Sequence, residues 1–208
     1  IDRSRGLGDV YKRQADIRLT TRYDENDFAS SLLGVMHETG HGLYEQGLPA
    51  DDFHLPSGQA VSLGIHESQS RLWENHVGRS SPFWERWLPR AQELFPHLRK
   101  IDLDQFLTAI NHAAYSSIRV EADEATYDLH ILLRFKLERA LIAAELEVSD
   151  VPGIWNDTFE SLFGFSPTNN REGCLQDIHW SMGGLGYFAT YSLGTVSYTH
   201  LRAHETDR

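Results

Sequence analysis

The sequence predicts a mostly α-helical protein with one small β element near its N-terminus. Apolar residues recur at helical spacing over most of the chain, and the two longest such patterns, 102–115 and 118–147, contain neither proline nor glycine. Residues 15–23 differ because they alternate, with Ile17 and Leu19 on one face and charged residues on the other. A period of two is typical of a strand.

Start and stop signals place the other helices. Asp24 is an N-cap candidate for a helix that ends at Gly47, which is followed closely by Pro49. Further helices are expected from Ser57 or Gln59 to about Val77, from Ser81-Pro82 onward, over 152–163, and briefly over 173–180.

Composition excludes several classes of protein. The chain has 208 residues and a formal net charge of −11, which argues against nucleic acid as a partner. No apolar run approaches the roughly 18 residues that a membrane span needs. Cys174 is the one cysteine, so an internal disulfide is impossible and a cytoplasmic setting is expected.

The two ends differ in pattern from the rest. Residues 1–14 and 196–208 resemble translated sequencing-adapter read-through, and we expect both to be artefactual. Residues 15–195 then form a partial catalytic domain.

Eleven histidines in a chain of this length prompt a search for a metal site. His37-Glu38-Thr39-Gly40-His41 is an HExxH motif within a predicted helix. Positions i and i+4 share a helix face, so both imidazoles can reach one cation, and Glu38 can act as general base on water. The alternative is a helix with two surface histidines and a glutamate.

A catalytic zinc usually takes a third protein ligand. The metzincin spacing fails here, because Tyr44 and Gly47 stand where it needs glycine and histidine. Glu67 on the next predicted helix is the preferred candidate, with His66 and Asp177 as alternatives. Glu67 can also be an exposed carboxylate paired with Arg71 at i+4.

Three glycines, Gly34, Gly40 and Gly42, lie in the HExxH helix. Each destabilises a helix by roughly 1 kcal/mol relative to alanine. Close approach of another backbone, or of a substrate, would explain why they are there.

Five motifs in order give the chain a family resemblance. It resembles the carboxypeptidase Taq family of metallocarboxypeptidases (peptidase family M32), whose members are about twice as long, so the chain looks like an internal piece from the second half. The matching segments are Asp16 to Thr20 (DxRxT), His37 to His41 (HExxH), His66 to Gln69 (HES-Q), Ile118 to Asp123 (IRxxAD) and Gly173 to Trp180 (GxxQDxHW).

This resemblance implies a helical, gluzincin-like fold that binds one divalent metal through His37, His41 and Glu67. Zinc is the default metal for these ligands, and cobalt or manganese can occupy them too. The implied activity is removal of C-terminal amino acids from peptides with a free C-terminus. A homodimer of the full-length protein is implied as well.

The resemblance also places further residues in the cleft. Arg119 would hold the substrate carboxylate, while Asp16 and Arg18 would line the cleft; the alternative for Arg119 is a surface pair with Glu121 or Asp123.

His179 and Tyr187 would donate hydrogen bonds to the substrate. Their alternatives are a core histidine beside Trp180 and a buried aromatic ring. Asp177 would orient a ligand histidine, or would form a structural ion pair.

Two other functions stay open at this point. One is a gluzincin-type endopeptidase or aminopeptidase with the same ligands, for which a carboxylate clamp would have no purpose. The other is a helical scaffold without metal.

Overall fold

The computed structural model describes residues 17–21, 23–25 and 27–205. These residues form two compact units. The first contains the described residues up to Asn111 together with those from Leu193 onward, and the second is His112–Ser192.

Seven α-helices make up most of the described chain, and the mostly helical prediction is confirmed. None of these helices is long and apolar enough to cross a membrane. They are α1 (Phe28–Gln46), α2 (Leu63–Arg71), α3 (Ser81–Leu94), α4 (Leu103–Ile110), α5 (Tyr127–Ile142), α6 (Val151–Phe163) and α7 (Ala189–Glu205).

Local signals explain where the helices of the first unit begin and end. Asp27, rather than Asp24, caps α1 by accepting a hydrogen bond from the Ser30 amide, and α1 ends before Gly47 as predicted. Ser62 caps α2 in the same way. Beyond α2 the chain continues as a π-helical segment, Leu72–Val77, a geometry found often at functional sites.

Helices α1 and α2 pack against each other at Gly40. A Cβ at this position would lie 2.6 Å from Ser70 Cα and closer still to the carbonyl oxygen of Gln69. Only glycine lets the two backbones approach this far. The expected close backbone approach is therefore found at Gly40, whereas a Cβ at Gly34 would meet only Thr21 Oγ1, at 3.6 Å.

An aromatic core supports the first unit. Trp84 and Phe106 are almost fully buried, and Phe28 at the start of α1 stacks on Phe95 with ring centroids 4.4 Å apart. This core anchors the N-terminal end of α1, the helix that carries the HExxH motif.

The second unit is built on α5 and α6. Leu133, Leu137, Trp155 and Phe159 are fully or almost fully buried between these helices. The full burial of Arg134 on the same helix as Leu133 is unusual, because a charge in such a place requires partners.

The predicted β element is wrong. Residues 17–21 and 23 carry no strand, and the isolated bridge between Asp24 and Asp27 is the only β pairing in the described residues. Ile17 and Leu19 do share a face, since their side chains contact α1 beside Gly42. Alternation in the sequence is not sufficient for a strand, because a strand is defined by its ladder of backbone hydrogen bonds with a neighbouring strand.

Other predicted boundaries also change. The pattern over 118–147 forms a helix only at Tyr127–Ile142, because Asp123 accepts hydrogen bonds from the amides of Ala125 and Thr126 and turns the chain there. Residues 173–180 form turns rather than a helix.

The two ends of the chain are only partly described. Helix α7 includes 196–205, while 1–14 and 206–208 lie outside the described residues, so the origin of both ends stays a prediction.

Candidate metal centre

Three side chains from α1 and α2 converge in the first unit. His37, His41 and Glu67 each offer one ligand atom, and these atoms all lie within 4.8 Å of one another. Glu67 Oε2 is 3.4 Å from His41 Nε2 and 3.9 Å from His37 Nε2. Metal–ligand bonds of about 2.0–2.2 Å give a tetrahedron with edges of about 3.3–3.6 Å. The distance from Glu67 to His41 lies in this range and the distance from Glu67 to His37 is slightly longer, so small side-chain movements would let all three bind one zinc-sized cation.

Glu74 orients the first histidine. Its Oε2 lies 2.7 Å from His37 Nδ1, so the His37 ring donates there and leaves Nε2 free to face Glu67. This is the carboxylate–histidine arrangement that commonly supports metal ligands. Glu74 comes from the π-helical segment after α2, which turns its side chain back towards α1.

A second histidine supports His41. His41 Nδ1 lies 2.5 Å from His66 Nδ1, and His66 Nε2 lies 2.8 Å from Glu45 Oε1. All three residues are buried. Both ring nitrogens of His66 are engaged in this chain of hydrogen bonds, whereas Glu67 Oε2 faces His37 and His41.

The two carboxylate oxygens of Glu67 have different partners. Oε2 faces the histidines, while Oε1 accepts a hydrogen bond of 3.2 Å from Arg71 Nε. The i+4 pair with Arg71 is present, but Glu67 is buried rather than exposed as that alternative required, and Oε2 still faces the histidines. Burial raises the pKa of Glu67, but His37, His41 and Arg71 outweigh burial and hold the pKa far below its usual range.

The same charges act on the neighbouring groups. Burial alone lowers the pKa of His37, yet the charge of Glu67 and the hydrogen bond that His37 donates to Glu74 raise the pKa overall. Burial raises the pKa of Glu74, but His37 and Arg71 bring it down to about 2. Both carboxylates are therefore ionised at neutral pH, as metal ligation and its support require.

Glu38 lies on α1 between the two histidines of the HExxH motif. It follows His37 directly and precedes His41 by three residues, and its Oε2 atom is buried. Carboxylates outnumber cationic side chains around this site, which favours a bound cation. The residues present fit a divalent metal, with two imidazole nitrogens and one carboxylate as donors.

The second unit contains a different charged cluster. Asp177 Oδ1 accepts from Nε and Nη2 of Arg119 at 3.1 and 2.8 Å, and Oδ2 accepts from Arg134 Nε at 2.7 Å. Arg119 Nη1 also donates to Tyr127 at 2.6 Å. Arg119 is buried and forms an ion pair with Asp177, so the alternative of a surface pair with Glu121 or Asp123 is wrong.

His179 and Tyr187 also lie in the second unit. The His179 ring packs against Phe188 and Tyr187 with centroids 4.3 and 4.9 Å away, and its Nε2 lies 3.1 Å from the Tyr191 hydroxyl. Burial, Arg119 and Arg134 lower the pKa of His179 to about 4 despite Asp177. His179 is therefore neutral at pH 7 and retains one N–H donor.

The remaining predicted cleft residues have separate outcomes. Arg18 is exposed in the extended segment before α1. Asp16 lies outside the described residues.

The sequence prediction missed Glu74 and Glu45 as partners of the ligand histidines. Glu45 follows His41 by four residues on α1, a spacing that could have suggested a shared face. Glu74 is seven residues after Glu67 and follows a change of helical pitch, so no sequence spacing would have indicated it.

Comparison with known proteins agrees with this geometry. The family described as carboxypeptidase Taq (M32) metallopeptidase matches residues 10–207. The chain belongs to this family. This M32 chain is 51% identical over 181 residues to thermostable carboxypeptidase 1 of Thermus thermophilus, a match that covers 87% of the chain and 36% of the relative.

Two further M32 comparisons are similar. Carboxypeptidase 1 of Bacillus subtilis is 43% identical over 190 residues, covering 91% of the chain and 38% of the relative. The solved Pyrococcus furiosus carboxypeptidase, described as Apo-Mg, superposes with a TM-score of 0.89 at 44% identity, covering 93% of the chain and 39% of that structure. The chain thus spans less than two fifths of the length of these relatives.

Proposed function

We propose that the protein containing this chain is a metal-dependent carboxypeptidase that removes C-terminal amino acids from peptides. The single observation that carries the proposal is the convergence of His37, His41 and Glu67 on one point. Membership of the M32 family and the relatives named carboxypeptidases support the class of reaction.

Zinc is the metal we propose, because two imidazoles and one carboxylate form a common catalytic zinc set; cobalt and manganese are the alternatives. When bound, it supplies a Lewis acid that polarises the scissile carbonyl and acidifies water. Glu38 would act as the general base, taking a proton from the attacking water and passing it to the leaving nitrogen.

Arg119 is the proposed binder of the substrate's free carboxylate. Two guanidinium groups share Asp177, so Arg119, Arg134 and Asp177 together carry an excess positive charge that an anion would balance. The side chain of Arg119 is only 5% exposed. A carboxylate would therefore meet a poorly hydrated cation, for which ionic contacts are strong.

His179 and Tyr187 are the proposed donors to the substrate, and Arg18 and Asp16 the proposed cleft residues. The low pKa of His179 supports a neutral donor rather than a second fixed charge. We further propose a cytoplasmic homodimer, for which the single cysteine, Cys174, and the family resemblance are the support.

Metal analysis of the purified full-length protein tests the ligand set. We expect one metal per chain in the unaltered protein, and loss of that metal in His37→Ala. Glu38→Gln should keep the metal and lose nearly all activity, because the general base is gone while the ligands remain. A His37→Ala variant that still holds one metal per chain would refute the ligand set.

Substrate chemistry separates a carboxypeptidase from an endopeptidase. An N-blocked dipeptide and its C-terminal amide differ only in the free carboxylate. We expect the amide to be cleaved far more slowly, and Arg119→Met to reduce that difference by weakening hydrolysis of the acid alone. Equal rates for acid and amide in the unaltered protein would favour the endopeptidase alternative.

A further inference from the structure

His66 and Glu45 extend the metal centre into the interior of the first unit. His66 is 1% exposed and Glu45 7% exposed. Glu45 lies one helical turn after His41 on α1, and His66 directly precedes Glu67 on α2. The hydrogen-bonded chain from His41 through His66 to Glu45 therefore joins the two helices that carry the ligands.

The positions of the protons follow from the end of this chain. An ionised carboxylate only accepts hydrogen bonds, so His66 must donate to Glu45 from Nε2. A neutral His66 then has a lone pair at Nδ1, which requires His41 to donate from its own Nδ1. The lone pair of His41 is left on Nε2, the atom that faces Glu67 Oε2.

We propose that Glu45 and His66 are positioning residues that select the His41 tautomer able to bind the metal. This inference rests on the proposed metal site. Glu74 does the same for His37 through one direct bond, whereas His41 reaches a carboxylate only through a second imidazole. Because His66 lengthens the path, Glu45 can fix the tautomer of the buried His41 although both residues lie on the same helix.

Three variants of the full-length protein test the role. His66→Phe removes both ring nitrogens. His66→Asn keeps a carbonyl oxygen close to the former Nδ1 and therefore keeps an acceptor for His41. His130→Phe is the matched control, since it makes the same change at another fully buried histidine, in the second unit.

Zinc affinity of the metal-free proteins is measured by competition with a chromophoric chelator. Loss of a partner behind a metal ligand commonly weakens binding about 10- to 100-fold, and we expect that loss in His66→Phe. His66→Asn should bind zinc much more tightly than His66→Phe, and His130→Phe should match the unaltered protein. Thermal unfolding of each metal-free variant is followed in parallel.

The tautomer itself is read without metal. Ring ¹⁵N spectra of histidine-labelled, metal-free protein report which nitrogen of His41 carries the proton, and the inference requires Nδ1. A proton on Nε2, or equal zinc affinity in His66→Phe and the unaltered protein, would overturn it. Equal weakening in His66→Phe and His66→Asn would also overturn it, because packing rather than an acceptor would then matter.

These readouts separate the inference from the function it rests on. If the unaltered protein binds no zinc while His41 carries its proton on Nδ1, the proposed function fails and the tautomer assignment stands. If zinc binds tightly and the His66 variants show no acceptor dependence, the positioning role fails and the metal site stands.

Discussion

The two units each bury a charged cluster, and the clusters are built on opposite principles. In the first unit, lone pairs from His37, His41 and Glu67 converge on a common point. In the second, N–H groups of Arg119 and Arg134 converge on one carboxylate, Asp177. The first arrangement gathers electron donors and suits a cation. The second gathers cations around a single anion.

In both clusters the neighbouring charged groups, rather than burial, determine the pKa of the buried carboxylate. Asp177 is held ionised because Arg134 and Arg119 outweigh the effect of burial and lower its pKa to about 2. Glu67 is held ionised by histidines that are themselves potential ligands. Protein charges thus already hold the one carboxylate of the second cluster, which keeps a net positive charge, whereas the first cluster gains its full stabilisation only with an added cation.

The largest expected effect comes from removing the carboxylate of the second cluster. Asp177→Asn leaves two buried guanidinium groups facing each other, and breaking such a pair destabilises by about 3–5 kcal/mol. Denaturant unfolding measures the change. Asp128→Asn is the control, because it makes the same substitution at an exposed position. A loss no larger than in the control would mean that the second cluster is not a structural ion pair.

A smaller effect is expected from Gly40→Ala in the first unit. The added methyl would overlap the backbone of α2 at Ser70, and overpacking of this kind costs about 1–3 kcal/mol. Because α2 carries Glu67, zinc affinity should fall as well.

Gly34→Ala in the same helix is the control for Gly40→Ala. Its methyl has room, and replacing a helical glycine there should stabilise by about 0.5–1 kcal/mol. The same sign of stability change in both variants would contradict the packing of α1 on α2.

A pH-dependent effect is expected in the second unit. Burial, then Arg134 and Arg119, lower the pKa of His130 from 6.5 to about 3. The unfolded chain therefore binds a proton first, so stability present above pH 6.5 is lost as the pH falls towards 3.

Unfolding at pH 7 and pH 5 measures the contribution of His130. We expect His130→Phe to remove roughly 1–2 kcal/mol of the pH-dependent loss between them. An unchanged pH dependence in the variant would show that His130 titrates normally in the folded protein.

The smallest expected effect is that of Glu74→Gln. The amide oxygen can still accept from His37 Nδ1, but the negative charge is lost. We expect zinc affinity to fall about tenfold, the lower end for such partners. Glu85→Gln on α3 offers an exposed control. A Glu74→Gln protein with unchanged affinity would leave the orientation of His37 to packing alone.

The sequence by itself determined which residues of α1 are the proposed histidine ligands and the proposed general base. His37, Glu38 and His41 have positions relative to one another that a helix sets locally, so their spacing was sufficient. Glu67 was predicted with the help of a sequence motif. Because Glu67 lies on a different helix from His37 and His41, spacing alone left His66 and Asp177 as alternatives. Helix α2 begins several residues later than predicted. Ser57, Gln59 and Ser62 are all polar residues that could cap a helix, and the sequence alone does not show which of them does.

Only the tertiary structure decided the remaining features. Residues 17–21 alternate as a strand does, but strand pairing depends on a second segment and is not a local property. Arg119 forms an ion pair with Asp177, which is 58 residues away in the chain, instead of with its neighbours in sequence. Glu74 and His66 contact His37 and His41 because α1 and α2 meet at Gly40. The partner of each Nδ1 atom therefore comes from outside α1, and the spacing of residues within α1 could not indicate it.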